Sequence, residues 1–103
     1  MKHEIHLDLD KTLSKLAKRD KVQFEMILNK IEEIINSEDI NHYKNLRAPL
    51  QIYKRVHVHS SFVLLFTVKG DTILFRHYDH HDTIYEKLTA RIATANYLNP
   101  ETY

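Results

Sequence analysis

The hydrophobic period of this chain changes once, near its middle. Through residues 20–36 the apolar residues Phe24, Ile27, Leu28, Ile31, Ile34 and Ile35 recur at helical spacing. From Ile52 the spacing drops to two, with Ile52, Val56 and Val58 on one side and Tyr53, Arg55, His57 and His59 on the other. A helix buries a stripe and a strand buries alternate residues, so the two halves need different partners. Neither an all-helical bundle nor an all-β sandwich accommodates both. An α+β layer does, with helices laid on a sheet.

Local signals place the remaining elements. Glu4 to Leu9 alternates, with Ile5, Leu7 and Leu9 against His6 and Asp8, and reads as a half-buried strand. Asp10 is placed to cap a short helix over 11–19, whose stripe is Leu13, Leu16 and Ala17. Asp20, with Gln23 three residues on, makes a box-like start for the second helix, and Asn36 to Asp39 ends it. Residues 38–50 are polar and irregular. Phe62 to Val68 is apolar on both faces, as a central strand would be. Lys69-Gly70-Asp71 supplies a turn into a strand over Thr72 to Tyr78. Thr83 to Tyr97 carries Ile84, Leu88 and Ile92 at helical spacing, with Pro100 to stop it. The predicted order is β-α-α-β-β-β-α. It gives a mostly antiparallel four-stranded sheet, an N-terminal helical hairpin on one face and a C-terminal helix.

Composition narrows the functional classes. With 103 residues, 43% of them hydrophobic, the chain can bury one modest core. A single glycine argues against a domain built on many tight turns. Cysteine is absent, which excludes disulfide and thiolate chemistry and suits the cytoplasm. The longest apolar run, Phe62 to Phe66, is too short to span a bilayer, and the first ten residues hold no signal-peptide core. Residues 41–81 carry six Lys/Arg against two Asp/Glu, while residues 1–40 carry seven against nine. Positive charge therefore gathers in one segment, which suits a phosphate-bearing partner.

That segment also holds six of the eight histidines, five of them in two clusters: His57 and His59, then His77, His80 and His81. Histidine moves protons near neutral pH and is the commonest metal ligand. A sheet that gathers these residues builds either a proton-transfer site or a metal site. His57-x-His59 with His77, Asp79, His80, His81 and Asp82 offers ligands that zinc accepts, but no spacing matches a known zinc signature. His59 and Arg76 read as ordinary solvent-facing strand residues. His77 follows the Ile73 and Phe75 face and reads as a partly buried structural histidine. Lys54 interrupts an apolar face and is expected at the sheet's edge.

The order of strand, helical hairpin and three-stranded meander resembles the RelE/ParE superfamily of toxins from toxin–antitoxin pairs. The segment KNLRAPLQIYKRVHVHSSFVLLFTVKGDTILFRHYDHHDTIY carries the likeness. A leucine-containing loop leads into Tyr53 to Val58, then come Phe62 to Phe66 and the terminal pattern His80 to Tyr85. Within the superfamily the pattern is similar to the YafQ-type ribonuclease toxins. Two arginines of the wider family pattern are replaced here, one by Val63 and one by His81. The resemblance implies a single RelE-like domain over 1–103, with 84–103 as a C-terminal helical extension. It implies metal-independent cleavage of mRNA, at the ribosome, without a cofactor. His57 and His81 fall on its functional histidines, Tyr85 on its terminal aromatic, and Arg55 on a basic position. On that reading His81 is the base and His57 the acid, and Arg55 and Lys54 hold phosphate. Tyr85 or Tyr53 stacks on a base or tunes a proton, and His59, His80 and Asp82 support the site. A small antitoxin is the implied partner, and no membrane is involved. Two other readings stand beside it: a non-enzymatic ParE-like or attenuated binding protein, and a metal-dependent hydrolase using the histidine cluster.

Overall fold

A computed structural model describes residues 1–98. Four strands form one sheet in the order β1-β4-β3-β2. They are β1 (Lys2–Ile5), β2 (Lys54–His59), β3 (Phe62–Lys69) and β4 (Thr72–His80). The pair β1–β4 is parallel, and the β2-β3-β4 meander is antiparallel. Helices α1 (Leu7–Arg19) and α2 (Lys21–Ile35) form the hairpin, and α3 (His81–Leu98) follows β4 directly. Pro100, the expected stop for α3, lies outside the described residues.

Two hydrophobic clusters sandwich the sheet, one on each face. The larger joins Leu9 and Leu13 of α1 and Ile27, Ile31 and Ile34 of α2 to Leu64, Phe66, Ile73, Phe75 and Tyr78. The smaller joins Val63, Leu65, Leu50 and Tyr53 to Ile84 and Leu88 of α3. Strand β3 supplies both clusters from alternate residues, which explains why it is apolar throughout. Tyr78 ties the sheet to the hairpin, its hydroxyl donating to Gln23 Oε1 at 2.7 Å. Burial pushes its phenol up to about 12.

Helix α2 forms as its sequence dictates. Asp20 Oδ1 accepts the Gln23 N–H at 3.1 Å, and Asn36 closes the other end. Leu28 departs from the expected stripe and is 39% exposed.

Three expectations need correction. The first concerns Leu7 and Leu9, which belong to a helix and not to the first strand. Helix α1 starts at Leu7, not after Asp10, and its cap is His6, whose Nδ1 accepts the Asp8 N–H at 3.1 Å. Leu9 is fully buried on the same stripe as Leu13 and Leu16, four and seven residues on. The second concerns Ile52, which is 61% exposed and precedes β2. The third concerns His77. A register shift between Leu65 and Phe66 leaves Arg76 as an extra residue, so Phe75 pairs with Phe66 while His77 pairs with Leu65. A bulge of this kind re-aims every later side chain. His77 is buried as expected, but on the face opposite Phe75, with the Tyr53 ring 5.8 Å away.

His77 makes stability depend on pH. Burial, helped by the Arg76 charge, lowers its pKa from 6.5 to about 4, and its Nε2 is buried with no hydrogen-bond partner. The folded chain therefore keeps the ring neutral where the unfolded chain protonates it. This contribution is complete above pH 6.5 and is lost as pH falls from 6.5 towards 4. The full shift corresponds to about 3 kcal/mol at most. Urea unfolding at pH 7 and pH 4.5 measures it: wild type loses more stability on acidification than His77→Gln does. Equal losses would contradict the burial account.

Candidate functional site

The β2–β3 turn and the β4–α3 junction meet at one end of the sheet. Ser60 and Ser61 make the turn, and Ser60 has φ of 51°, a left-handed conformation unusual for a residue with a side chain. The Ser61 carbonyl accepts the His81 N–H at 2.9 Å, which pins the first residue of α3 to the turn. His80, just before the helix, accepts the Asp82 N–H on its Nδ1 at 3.3 Å. Phe62 packs edge-on against His80 at 5.8 Å. The His80 and His81 rings stack at 4.7 Å.

His81 is thereby oriented on several sides. Its Nδ1 lies 2.8 Å from Asp82 Oδ1, and the Tyr85 ring lies 6.1 Å away, one helical turn on. The imidazole remains one-third exposed. A proton on Nδ1 directed at Asp82 would leave Nε2 with its lone pair, the form a general base needs. Tyr85 continues the chain of contacts, its hydroxyl accepting from Arg55 Nη1 at 3.2 Å. His57 lies two residues beyond Arg55 on the exposed run of β2 and pairs with Val63, a residue of the cluster under α3. His57, Arg55 and Tyr85 therefore lie on the α3 side of the sheet, and His81 stands at the head of α3, one helical turn from Tyr85. Among the described residues, no hydrogen bond joins His57 to His81.

The other candidates lie elsewhere. Lys54 points to the hairpin side, buried, with Nζ donating to Tyr43 O at 3.0 Å and to Asn45 Oδ1 at 2.8 Å. Its charge staples the loop before β2 and is not presented to a ligand. Tyr53 is buried in the smaller core cluster, where no base can stack on it. A register shift between His57 and His59 pairs His59 with Phe62, away from His57, and leaves it exposed.

The stapled loop contributes residues that period and spacing do not single out. Arg55 N donates to Lys44 O, Leu46 N to Tyr53 O, and Asn45 Nδ2 to Gln51 O, which fixes residues 44–53 against β2. Between this loop and α3 runs a groove of about 530 Å³, lined by Lys44, Asn45, Leu46, Arg47, Leu50, Arg55 and Tyr85. Three cations and an aromatic ring share it. The one sequence signal for Lys44 and Arg47 was the net positive charge of residues 41–81.

No family model matches the chain. A protein of Methanocaldococcus jannaschii described as "Putative toxin RelE4" is 54% identical over 86 residues, covering 82% of this chain and 89% of its own length. The chain belongs to the RelE toxin family. Solved structures agree with this RelE fold. YafQ of E. coli matches 81% of this chain and 96% of its own, with a TM-score of 0.59 at 15% identity. The RelB–RelE antitoxin–toxin complex from Methanococcus jannaschii matches 84% of this chain and 98% of its own, with a TM-score of 0.54 at 26% identity. The RelE assignment and the α+β sheet with its two helical layers are thus as the sequence predicts. Among the described residues, no helix is long and apolar enough to cross a membrane.

Proposed function

We propose that this RelE-family chain is an endoribonuclease toxin that cleaves mRNA, at the ribosome, in the cytoplasm. The observation that carries the reading is the linked set Asp82–His81–Tyr85–Arg55 beside a groove lined by Lys44 and Arg47. Cleavage through the RNA's own 2′-hydroxyl needs a base, an acid and a cation on the phosphorane. His81 Nε2 takes the 2′-hydroxyl proton, while Asp82 holds the opposite nitrogen. His57 returns a proton to the departing 5′-oxygen. Arg55 grips the phosphate with a planar fork that stays charged, and Tyr85 fixes that fork. Lys44 and Arg47 carry the adjoining phosphates. Uridine, cytidine, adenosine and guanosine all present the same nucleophile, so this chemistry selects RNA over DNA without selecting a base.

The solved neighbour that is an antitoxin–toxin complex supports a cognate antitoxin as the protein partner. A binding-only reading has less to explain it, because a docking surface has no use for a carboxylate-oriented imidazole.

Salt dependence separates the two neighbouring cations. Arg55→Ala weakens RNA binding across sequences and reduces the slope of log affinity against log salt by about one charge. Lys54→Met leaves that slope unchanged, since Lys54 faces the other way. Equal slopes in wild type and Arg55→Ala would remove Arg55 from the site.

A further inference from the structure

We propose that His80, His81 and Asp82 form a reversible binding site for a divalent transition-metal ion, with zinc as the probe, and that metal bound there silences the chain. One nitrogen from each histidine and one carboxylate oxygen of Asp82 lie within 4.8 Å of one another. Two imidazoles and a carboxylate are a ligand set that zinc and its first-row neighbours accept. Ligand atoms on one zinc stand roughly 3.4 Å apart, given bonds of about 2.1 Å in a tetrahedron. The ligand atoms therefore close by up to about 1.4 Å, a movement that side-chain rotation supplies. All three residues are at least partly exposed, so an ion reaches them without unfolding anything.

The pair that would change most is already ion-like. His81 Nδ1 and Asp82 Oδ1 sit 2.8 Å apart, a distance that a shared proton would bridge. A metal ion takes that proton's place or captures the neighbouring Nε2. Either way His81 loses the free lone pair that proton transfer requires.

Two features hold the affinity below that of a closed structural site. The positive end of α3 opposes a cation at its first turn. His80 must also give up the Asp82 N–H that its Nδ1 accepts. Three ligands with open positions and these opposing terms describe a site that loads and empties with metal supply. Zinc here is an inhibitor, not a cofactor.

Binding stands on the geometry alone; only its consequence rests on the ribonuclease reading. Zinc titration of the purified chain by calorimetry, and of His80→Asn alongside, tests it. Asparagine keeps an oxygen to cap α3 while removing one imidazole. The expected result is one zinc per chain in wild type. His80→Asn binds at least about tenfold more weakly, the least that losing even an outer-shell partner brings. Cleavage of RNA by wild type falls with zinc occupancy and returns on adding chelator, while His80→Asn needs correspondingly more zinc. Equal zinc affinity in the two proteins, or no binding to wild type, overturns the site. Zinc binding that is lost in His80→Asn, in a chain that cleaves no RNA at any zinc level, supports the site and overturns the ribonuclease reading instead.

Discussion

Replacing His81 by alanine lowers RNA cleavage roughly a hundred- to ten-thousand-fold, the loss expected of a general acid–base group. The fold should survive the change. The side chain is one-third exposed, and the contact that anchors α3 at this point is the backbone bond from His81 N–H to the Ser61 carbonyl, which alanine keeps. Stability should therefore move by no more than about 0.5 kcal/mol, as at other surface positions. Cleavage of a defined mRNA with ribosomes supplied, measured beside thermal unfolding, separates the two effects. Growth arrest on induction in cells gives the same comparison. A His81→Ala chain as active as its parent would remove His81 from the chemistry, and with it the orienting role of Asp82. Intact antitoxin binding by the inactive variant would show that the partner surface does not depend on the imidazole.

Leu9→Ala should cost about 2–5 kcal/mol, whereas Leu7→Ala should cost almost nothing. Leu9 is fully buried against both helices and the sheet, and Leu7 is 62% exposed two residues earlier. On a strand the two would share a face and behave alike. On a helix they stand about 200° apart, which is what the structure shows. Urea denaturation of the two variants measures the difference directly. Similar losses would restore the strand reading of Glu4 to Leu9.

This pair of leucines also shows where the sequence was ambiguous. Ile5, Leu7 and Leu9 satisfy a period of two, yet Leu9, Leu13 and Leu16 satisfy a helical one, and six residues cannot decide between them. The true cap, His6, is not among the usual capping residues, so no signal marked the start of α1. Helix α2 was legible because its stripe is long and both ends carry ordinary caps.

The candidate site divides the same way. Arg55 and His57 were legible because β2 keeps a clean alternation between them. His77 was misplaced because it follows a bulge, and a bulge leaves no mark in the hydrophobic pattern; the bulge before His59 changes its pairing but leaves it solvent-facing, as read. Lys54 was legible as an interruption of an apolar face, but its partners Tyr43 and Asn45 come from an irregular loop. Lys44 and Arg47 sit in that loop too, where no period exists to aim a side chain. Their contribution appeared only as surplus charge. The roles given to His81, His57 and Tyr85 came from resemblance. The structure adds the side of the sheet that His57 and Tyr85 share, and the Asp82 and Arg55 contacts that periodicity could not supply.

The central claim is that the chain's own side chains drive attack by the RNA's 2′-hydroxyl. The chemical identity of the cleaved ends tests it most directly. A defined ribosome-bound mRNA is cut by the purified chain, and the fragments are analysed by mass spectrometry. Attack by the 2′-hydroxyl leaves a 2′,3′-cyclic phosphate, or its opened 3′-phosphate, upstream and a free 5′-hydroxyl downstream. A 3′-hydroxyl and a 5′-phosphate would show that water was the nucleophile and would contradict the account.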